Sequence, residues 1–242
     1  MVGVVEQHLT TLLTGGPLHF TLIDPEKSPG PRAAGIARDA AAAGSHAILL
    51  GGSTGISPEV MGEAARQIRA AVPLPTIIFP EGSGSLTSGA HAVLFMSMLN
   101  SRNLGLVIRT QARAAPVVRR LGLEPIPMGY LVIAPGMRVG EVGEADLVGR
   151  EEHERAQGYA LAAEMLGMRF VYLEAGSGAP APVPEAMVRA VRSVLTVPLV
   201  VGGGIRSGPE AARLLAAGAQ VLVTGTITEE EGIGSGFRSI LT

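Results

Sequence analysis

The sequence predicts an α/β fold in which eight parallel strands close into a modified TIM (β/α)₈ barrel. Eight short apolar runs recur along the 242 residues, with amphipathic helical patterns between most of them. The runs are almost continuously apolar, which is typical of parallel strands that are covered on both faces. The alternation of strand and helix indicates parallel strands, and eight repeats in a chain of this length indicate a barrel.

The predicted elements divide the chain evenly, and no linker or break in composition separates residues 1–242 into more than one domain. The predicted strands are Leu18 to Ile23, His46 to Leu50, Thr76 to Phe79, Val93 to Met96, Ile126 to Ile133, Phe170 to Leu173, Leu199 to Val201 and Val221 to Val223. The predicted helices are Ala33 to Ala43, Ser57 to Ala71, Asn103 to Leu121, Glu151 to Leu166, Pro184 to Leu195 and Gly208 to Ala217. An open, doubly wound sheet is the alternative fold with the same alternation.

One connection departs from the pattern. Only Pro80 to Ala90 separates the third strand from the fourth, and these residues have no helical periodicity. A crossover between parallel strands normally needs a dozen or more residues. We therefore expect the third helix to be missing or replaced by an extended segment, which would leave a gap in the barrel wall. The gap either admits an elongated ligand or is a turn without functional consequence.

Composition excludes several classes of protein. The 19 basic and 21 acidic residues balance to −2, which does not favour a nucleic-acid surface, and the absence of cysteine excludes disulfides and thiolate zinc sites. No apolar run reaches the roughly 20 residues of a membrane span. Residues Met1 to Thr14 lack the pattern of a signal peptide, so we expect a cytoplasmic protein.

Glycine-rich segments follow the last three predicted strands. They are Glu174 to Gly178, Gly202 to Arg206, and Gly225 with Thr226. Glycines let backbone N–H groups approach an anion closely, and barrels often bind a phosphate after strands seven and eight. Tight turns also use glycine, but the position of these segments in the strand count favours a phosphate site.

Further candidate site residues with side-chain oxygens follow the first, second and sixth strands. Asp24 ends the first strand and Ser53 follows the second, so together they offer oxygen ligands for Mg²⁺, although Asp24 would equally cap a turn beside Pro25. Glu174 is a candidate general base at the end of strand six, with a salt-bridged glutamate as the alternative. Lys27 either neutralises phosphate charge or is solvated.

Other residues have ordinary interpretations beside functional ones. His19, His46 and His91 lie at strand starts, away from the catalytic end, so we interpret them as structural. The methionines that could line an apolar cavity, or belong to the core, are Met96, Met98, Met128 and Met137.

Several motifs in combination resemble the geranylgeranylglyceryl phosphate synthase family, which includes the bacterial heptaprenylglyceryl phosphate synthases. The matching segments run from Phe20 to Thr226 and read FTLIDPEKSPG, LLGGSTG, FPEGSGSLTSGAHAVLFMSMLNSRN, IPMGYLVIAPG, YLEAGSGA, VGGGIRS and VTGT. The family has a modified barrel whose third helix is replaced by an extended segment, in agreement with the short Pro80 to Ala90 connection.

The resemblance implies a reaction and its participants. The family alkylates the 3-hydroxyl of sn-glycerol 1-phosphate with a polyprenyl diphosphate, here expected to be geranylgeranyl diphosphate, and releases diphosphate. This step makes the first ether bond of archaeal-type lipids and uses Mg²⁺. Family members are commonly dimers or larger, and transient membrane contact would suit the lipid product.

The resemblance also implies residue roles. Asp24 and Ser53 would hold Mg²⁺, and Glu174 would orient or deprotonate the attacking hydroxyl. The residues that would bind glycerol phosphate are Tyr172, Leu173, Glu174, Ala175, Gly176, Ser177, Gly178, Gly203, Gly204, Gly225 and Thr226. Some members have Asn where this chain has Thr226, and a hydroxyl can replace that amide as a donor. A longer heptaprenyl donor, a sugar-phosphate isomerase or synthase, and a non-catalytic phosphometabolite-binding barrel remain as alternatives.

Overall fold

The fold is a closed barrel of eight parallel strands in the order of the sequence. A computed structural model describes residues 2–52, 55–231 and 233–241. Adjacent strands pair in parallel throughout, and β1 closes on β8 with Leu18 opposite Val221. The closure confirms the predicted barrel and excludes the open sheet. The strands are β1 Leu18–Ile23, β2 Ala47–Leu50, β3 Thr76–Ile78, β4 Ala92–Met98, β5 Glu124–Val132, β6 Phe170–Glu174, β7 Leu199–Gly202 and β8 Val221–Thr224.

Side chains alternate between the barrel interior and the layer beneath the helices. On β1, Leu18 and Phe20 belong to the interior cluster, whereas Ile23 packs in the outer one. The same alternation sends Phe170 and Tyr172 of β6 inward. Because side chains on a strand alternate with a period of two, the next residue of the inward series on β1 is Asp24 and that on β6 is Glu174. Both carboxylates therefore lie at the open end of the barrel.

The helices pack around the barrel, and four of them were not predicted from the sequence. The helices are α1 Val4–Leu13, α2 Gly30–Ala43, α3 Pro58–Ala71, α4 Thr110–Leu121, α5 Met137–Val142, α6 His153–Met165, α7 Glu185–Arg192, α8 Gly208–Ala216, α9 Thr226–Glu231 and α10 Ser235–Leu241. The unpredicted ones are α1, α5, α9 and α10. Three of these have only six or seven residues, too few for a clear periodic pattern.

Helix α1 covers the end of the barrel opposite the candidate site. Leu9 is buried among the interior side chains, so it fills the base of the barrel. The carboxylate of Glu124 accepts 2.8 Å hydrogen bonds from the backbone amides of Val5 and Glu6. Arg169 binds the buried carboxylate of Glu6 through Nε and through a 2.7 Å contact to Oε2. These contacts close the base, so access is from the other end.

The third connection lacks an α-helix, as predicted. Between β3 and β4 the structure has only a short 3₁₀ turn, Ser83–Ser85. After β4 the helix predicted from Asn103 is present, and it begins with a π-helical turn, Gly105–Arg109. In the part of the chain that is described, no helix is long and apolar enough to cross a membrane.

Candidate active site

A cavity of about 370 Å³ opens at the carboxyl end of the barrel strands. Its lining includes loops from most of the barrel mouth, and nine of the predicted site residues contribute to it. These are Asp24, Tyr172, Glu174, Ser177, Gly178, Gly203, Gly204, Gly225 and Thr226. Residues that lie as much as two hundred positions apart in the sequence therefore meet in one site. A cavity of this size is in the range of small-ligand sites, about 300 to 1,000 Å³.

The glycine-rich loops after β6, β7 and β8 meet at one end of this cavity. Thr226 joins two of them, because its Oγ1 lies 3.0 Å from Ser177 Oγ and accepts a 3.2 Å hydrogen bond from the Gly178 amide. Ser177 and Thr226 thus present hydroxyl groups where the loops after β6 and β8 meet. Such a cluster of neutral donors suits a phosphate group.

Gly203 cannot be replaced without disturbing this arrangement. Its φ is 82°, in the left-handed region. A Cβ at this position would meet Glu174 Oε1 and would lie 2.6 Å from the Gly176 amide nitrogen. The β7 loop therefore needs glycine both for its backbone conformation and for its close approach to the β6 loop. The glycines of these two loops let the backbone pack directly against the candidate base.

Glu174 is buried at the centre of the site. Its Oε1 accepts a 2.6 Å hydrogen bond from the Gly176 amide, and the hydroxyls of Tyr130 and Tyr172 also donate to the carboxylate. Burial raises the pKa of Glu174, and these three donors partly offset that rise by stabilising the charged form. The described residues give Glu174 no basic partner, so the salt-bridged alternative is not supported. A carboxylate with a raised pKa at a cavity wall suits a general base.

Tyr130 is a site residue that sequence reasoning did not find. It lies on β5 opposite Tyr172 of β6 in the register, and the two rings have centroids 5.0 Å apart. Phe79 packs edge-on against both rings at 5.9 and 6.0 Å. The chain has only three tyrosines, and two of them are in this cluster. The available signal was a tyrosine in the inward series of β5, whose other members Ile126, Met128 and Val132 are apolar.

Asp24 follows β1, which pairs with β8, so it lies beside the loop after β8 and three strands away from Glu174 on β6. Its Oδ1 accepts a 3.0 Å hydrogen bond from the Glu26 amide, and its Oδ2 lies 3.8 Å from Lys27 Nζ. The turn-capping role that the sequence allowed is therefore present, and both Asp24 and Lys27 line the cavity. Ser53, the other predicted metal ligand, lies outside the described residues.

Glu81 is a second carboxylate in this part of the cavity that the sequence did not single out. It accepts hydrogen bonds from the backbone amides of Gly55 and Ile56, while its Oε1 is buried without a hydrogen-bond partner. Burial raises the pKa of Glu81, and the nearby charges of Asp24 and Glu26 add to that rise. The loop after β2 is thus tied to the extended segment after β3.

The donor set at this end fits Mg²⁺ that arrives with a phosphate ligand. Among the described residues no group of three or more His, Cys, Asp or Glu could hold a metal by itself. Mg²⁺, however, is commonly bound through one or two carboxylates, with waters and substrate phosphates completing its shell. Asp24 and the unpartnered oxygen of Glu81 are such carboxylates, and both line the cavity.

The cavity continues as an apolar arm through the gap in the barrel wall. Its lining there includes Leu86 of the extended segment, Val93 of β4, and Ala114 and Val118 of α4. Val93 faces the outer layer, so the arm leaves the barrel interior and runs between β4 and α4. The missing third helix is therefore replaced by space that is open to the site.

Some predicted residues are not brought to the cavity. The side chains of Leu173 and Ala175 pack in the outer layer, and Gly176 contributes only its contacts to Glu174 and Gly203. Met96 and Met98 line the cavity, whereas Met128 and Met137 do not.

The predicted structural histidines have structural contacts. His19 Nε2 lies 2.9 Å from Thr224 Oγ1, and the Nδ1 atoms of His46 and His91 accept hydrogen bonds from the backbone amides of His19 and Thr76. Burial lowers the pKa of His19 to about 3, so it is neutral.

Known proteins are similar to this chain over nearly its whole length. A profile of the PcrB family matches residues 12–241. The geranylgeranylglyceryl phosphate synthase of Pyrococcus horikoshii is 48% identical over 229 residues, which cover 95% of this chain and 90% of that protein. The enzyme of the same name from Methanothrix thermoacetophila is 49% identical over 233 residues, covering 96% and 91%.

Solved structures give the same result. The crystal structure of (S)-3-O-geranylgeranylglyceryl phosphate synthase from Thermoplasma acidophilum, in complex with its substrate sn-glycerol-1-phosphate, superposes with a TM-score of 0.94 at 44% identity and covers 100% of this chain and 98% of that one. These similarities confirm the resemblance drawn from the motifs and the prenyltransferase class that it implies. The chain belongs to the PcrB family, the family of the geranylgeranylglyceryl phosphate synthases.

Proposed function

We propose that this protein transfers a geranylgeranyl group from its diphosphate to the 3-hydroxyl of sn-glycerol 1-phosphate. The observation that carries the proposal is one continuous cavity. It has Glu174 and the glycine-rich phosphate loops after β6, β7 and β8, Asp24 and Glu81 after β1 and β3, and an apolar arm through the barrel wall. A small phosphate ester, a diphosphate and a hydrocarbon chain each have a matching surface in that cavity.

The glycerol phosphate end is built from backbone amides and hydroxyls. Ser177, Gly178 and Thr226 surround the position for the phosphate, and Gly203 and Gly204 let the β7 loop approach it. The relative from Thermoplasma acidophilum, whose structure holds sn-glycerol-1-phosphate, supports this ligand. With the phosphate bound in these loops, the glycerol hydroxyls would extend toward Glu174.

The chemistry exchanges one carbon–oxygen bond for another. The 3-hydroxyl oxygen forms a bond to the first carbon of the prenyl chain, the bond from that carbon to the diphosphate oxygen breaks, and diphosphate leaves with the electron pair. Glu174 takes the hydroxyl proton, and its raised pKa favours that transfer. Tyr130 and Tyr172 hold the carboxylate in place through their hydroxyls. Orientation of the two substrates across the mouth supplies further acceleration.

The diphosphate end would use Mg²⁺ together with basic side chains. Asp24, with Ser53 as predicted from the motifs, would hold the ion on the diphosphate, where it stabilises the negative charge of the leaving group. Lys27 lines this part of the cavity and carries positive charge toward the same group. Glu81 fixes the loop after β2 through the amides of Gly55 and Ile56.

The prenyl chain would lie in the apolar arm, with its far end between β4 and α4. A heptaprenyl donor is the alternative, and the curated relatives named for geranylgeranyl transfer favour the shorter chain. A cytoplasmic location and a homo-oligomer complete the proposal. The exposed pair Met165 and Leu166 at the end of α6 provides an apolar centre for contact between copies.

The test is incubation of the full chain with labelled glycerol 1-phosphate, Mg²⁺ and prenyl diphosphates of several lengths, followed by lipid extraction. We expect extractable label only when both substrates are present, and most of it with geranylgeranyl diphosphate. Consumption of glycerol phosphate without a prenyl donor would favour an isomerase-type barrel. Binding without product at any chain length would favour a non-catalytic phosphate-binding protein.

A further inference from the structure

The wall of the apolar arm has an outer face with a distinctive charge. The segment from Ser97 to Leu123 contains five arginines and no acidic residue, although the formal charge of the chain is −2. Four of these arginines, Arg109, Arg113, Arg119 and Arg120, lie on the π-helical turn and α4 and are exposed. Within the described residues none of the four has a carboxylate partner. Their positive charge is therefore directed to solvent.

Large apolar side chains are exposed beside these arginines. Leu104 and Ile108, at the start of the same helix, are 49% and 54% exposed. Residues four apart on a helix lie on one face. Ile108 and Ala112 therefore share one face, and Arg109 and Arg113 share a neighbouring one. An apolar stripe thus runs alongside a basic stripe, both on the surface that faces away from the cavity.

A neighbouring helix extends the apolar stripe. Ser101 Oγ donates a 2.6 Å hydrogen bond to the Gly143 carbonyl, and Asn103 Nδ2 donates one of the same length to Glu144 Oε1. These bonds hold the start of the π-helical turn against the end of α5, where Val142 is 47% exposed at the edge of the cavity. The acidic residues nearby are each paired: Glu141 lies 3.6 Å from Arg138, Glu144 accepts a hydrogen bond from Asn103, and Asp146 binds Arg102.

The inner face of the same helix lines the lipid-binding part of the cavity. Leu106, Gln111, Ala114 and Val118 are lining residues. Only this helix therefore lies between the apolar arm and the basic and apolar outer surface.

We propose that the outer face of residues 104–120, with Val142 of α5, docks on the surface of a bilayer that contains anionic lipids. Arginines would contact lipid phosphates while Leu104, Ile108 and Val142 enter the headgroup region, which is how basic amphipathic helices bind membranes. A second copy of this chain fits less well, because a symmetric contact would bring the same unpaired arginines together. The purpose of docking rests on the proposed function, since the prenyl donor and the ether product are both lipids.

The test is flotation of the full chain, without substrates, with vesicles of phosphatidylcholine alone or of equal parts phosphatidylcholine and phosphatidylglycerol. We expect binding to the anionic vesicles only, weakened by high salt because exposed charges are screened. Arg109→Glu with Arg113→Glu should weaken binding by roughly 30-fold or more, since each basic residue near an anionic surface contributes about a fivefold factor. Leu104→Ser with Ile108→Ser should weaken it without removing its salt dependence.

A matched control carries the same charge change elsewhere. Arg32→Glu with Arg38→Glu alters two exposed arginines on α2 and should leave vesicle binding within about twofold, as expected for charges farther from the bilayer than a Debye length. Turnover of detergent-dispersed geranylgeranyl diphosphate should be unchanged in every variant, which separates failure of docking from failure of the proposed reaction. Absence of binding to anionic vesicles, or equal losses in the control, would overturn the proposal. So would a change of oligomeric state in the Arg109 and Arg113 variant, which would assign this face to contact between copies.

Discussion

The amide of Gly176 donates a 2.6 Å hydrogen bond to Oε1 of Glu174, two residues before it in the chain. The carboxylate at the end of β6 is therefore held by the backbone of the loop that it begins. Gly203 packs against both groups, so two glycine-rich loops hold the candidate base in place. Its orientation is determined before any substrate binds.

Replacement of Glu174 by glutamine tests the base directly. Glu174→Gln keeps the size of the side chain and removes its ability to take a proton. We expect kcat to fall by about 100- to 10,000-fold, the usual contribution of a general base, with little change in glycerol 1-phosphate affinity measured by calorimetry. Glu154→Gln on the exposed face of α6 is the matched control and should have wild-type turnover. Near-normal kcat in Glu174→Gln would remove the base assignment.

The pH dependence of activity should follow the raised pKa of Glu174. The ionised carboxylate is the active form, so kcat should fall as the pH is lowered through a pKa above the value of about 4.3 for an ordinary glutamate. The measurement is a pH–rate profile at saturating substrates. An acidic limb at or below the ordinary value would contradict the burial argument.

Burial of Glu174 should also affect stability with a definite sign. A raised pKa means that the fold favours the protonated carboxyl, so this contribution to stability is complete below the ordinary pKa and is lost as the pH rises through the raised one. Glu174→Gln should therefore melt at a higher temperature than the wild type at neutral pH, and the difference should shrink in acid. The variant and the wild type must be compared at the same pH, because His19 also makes stability depend on pH. Buried His19 has a lowered pKa, so its stabilising contribution is lost as the pH falls below about 6.5.

Replacement of Asp24 tests the diphosphate end. We expect Asp24→Ala to weaken Mg²⁺-dependent binding of prenyl diphosphate, or of inorganic diphosphate, by roughly 30-fold or more, because loss of a buried charged contact costs about 2 kcal/mol or more. Glycerol phosphate binding should be retained. Glu26→Gln, two residues later and exposed, serves as the control. Unchanged Mg²⁺ dependence in calorimetry would exclude Asp24 as a ligand.

Gly203 should tolerate substitution far less well than a glycine on the surface. Gly203→Ala places a Cβ against Glu174 and keeps a φ of 82°, so we expect destabilisation of about 1 to 3 kcal/mol and loss of glycerol phosphate binding. Gly35→Ala in α2 meets no atom within 4 Å and should stabilise the fold by about 0.5 to 1 kcal/mol. Denaturant unfolding of both variants measures the contrast, and equal effects would argue against a special role for the β7 loop.

A larger side chain in the apolar arm should affect the prenyl donor alone. Ala114 of α4 lines the arm, and we expect Ala114→Phe to raise the KM for geranylgeranyl diphosphate by roughly tenfold, since overpacking costs about 1 to 3 kcal/mol. A shorter prenyl donor should be affected less. Ala112→Phe, on the exposed outer side of the same helix, is the control. An equal rise in KM for both donors would place the prenyl chain elsewhere.

Local patterns in the sequence were sufficient for the strand count, the missing third helix and most of the site. Asp24, Glu174 and the glycines at 203 and 225 follow apolar runs directly, and the ends of parallel strands meet at one rim of a barrel, so their proximity follows from the strand count alone. The short helices were not predictable in the same way. Helices α5 and α9 have six residues each, and α1 is specified by contacts to Glu124 and Arg169 rather than by its own pattern.

Only the tertiary structure decided which side chains meet across the barrel. Tyr130 reaches Glu174 because the register of β5 and β6 sets it opposite Tyr172, and Glu81 approaches Asp24 because the segment without a helix lines the same cavity. The cavity continues past β4 for the same reason, since the space left by the missing helix is enclosed by α4. The sequence by itself determined the ends of the strands, because those signals are local. The partners of Glu174 and the course of the apolar arm depend on closure and register of the whole barrel, which no local pattern contains.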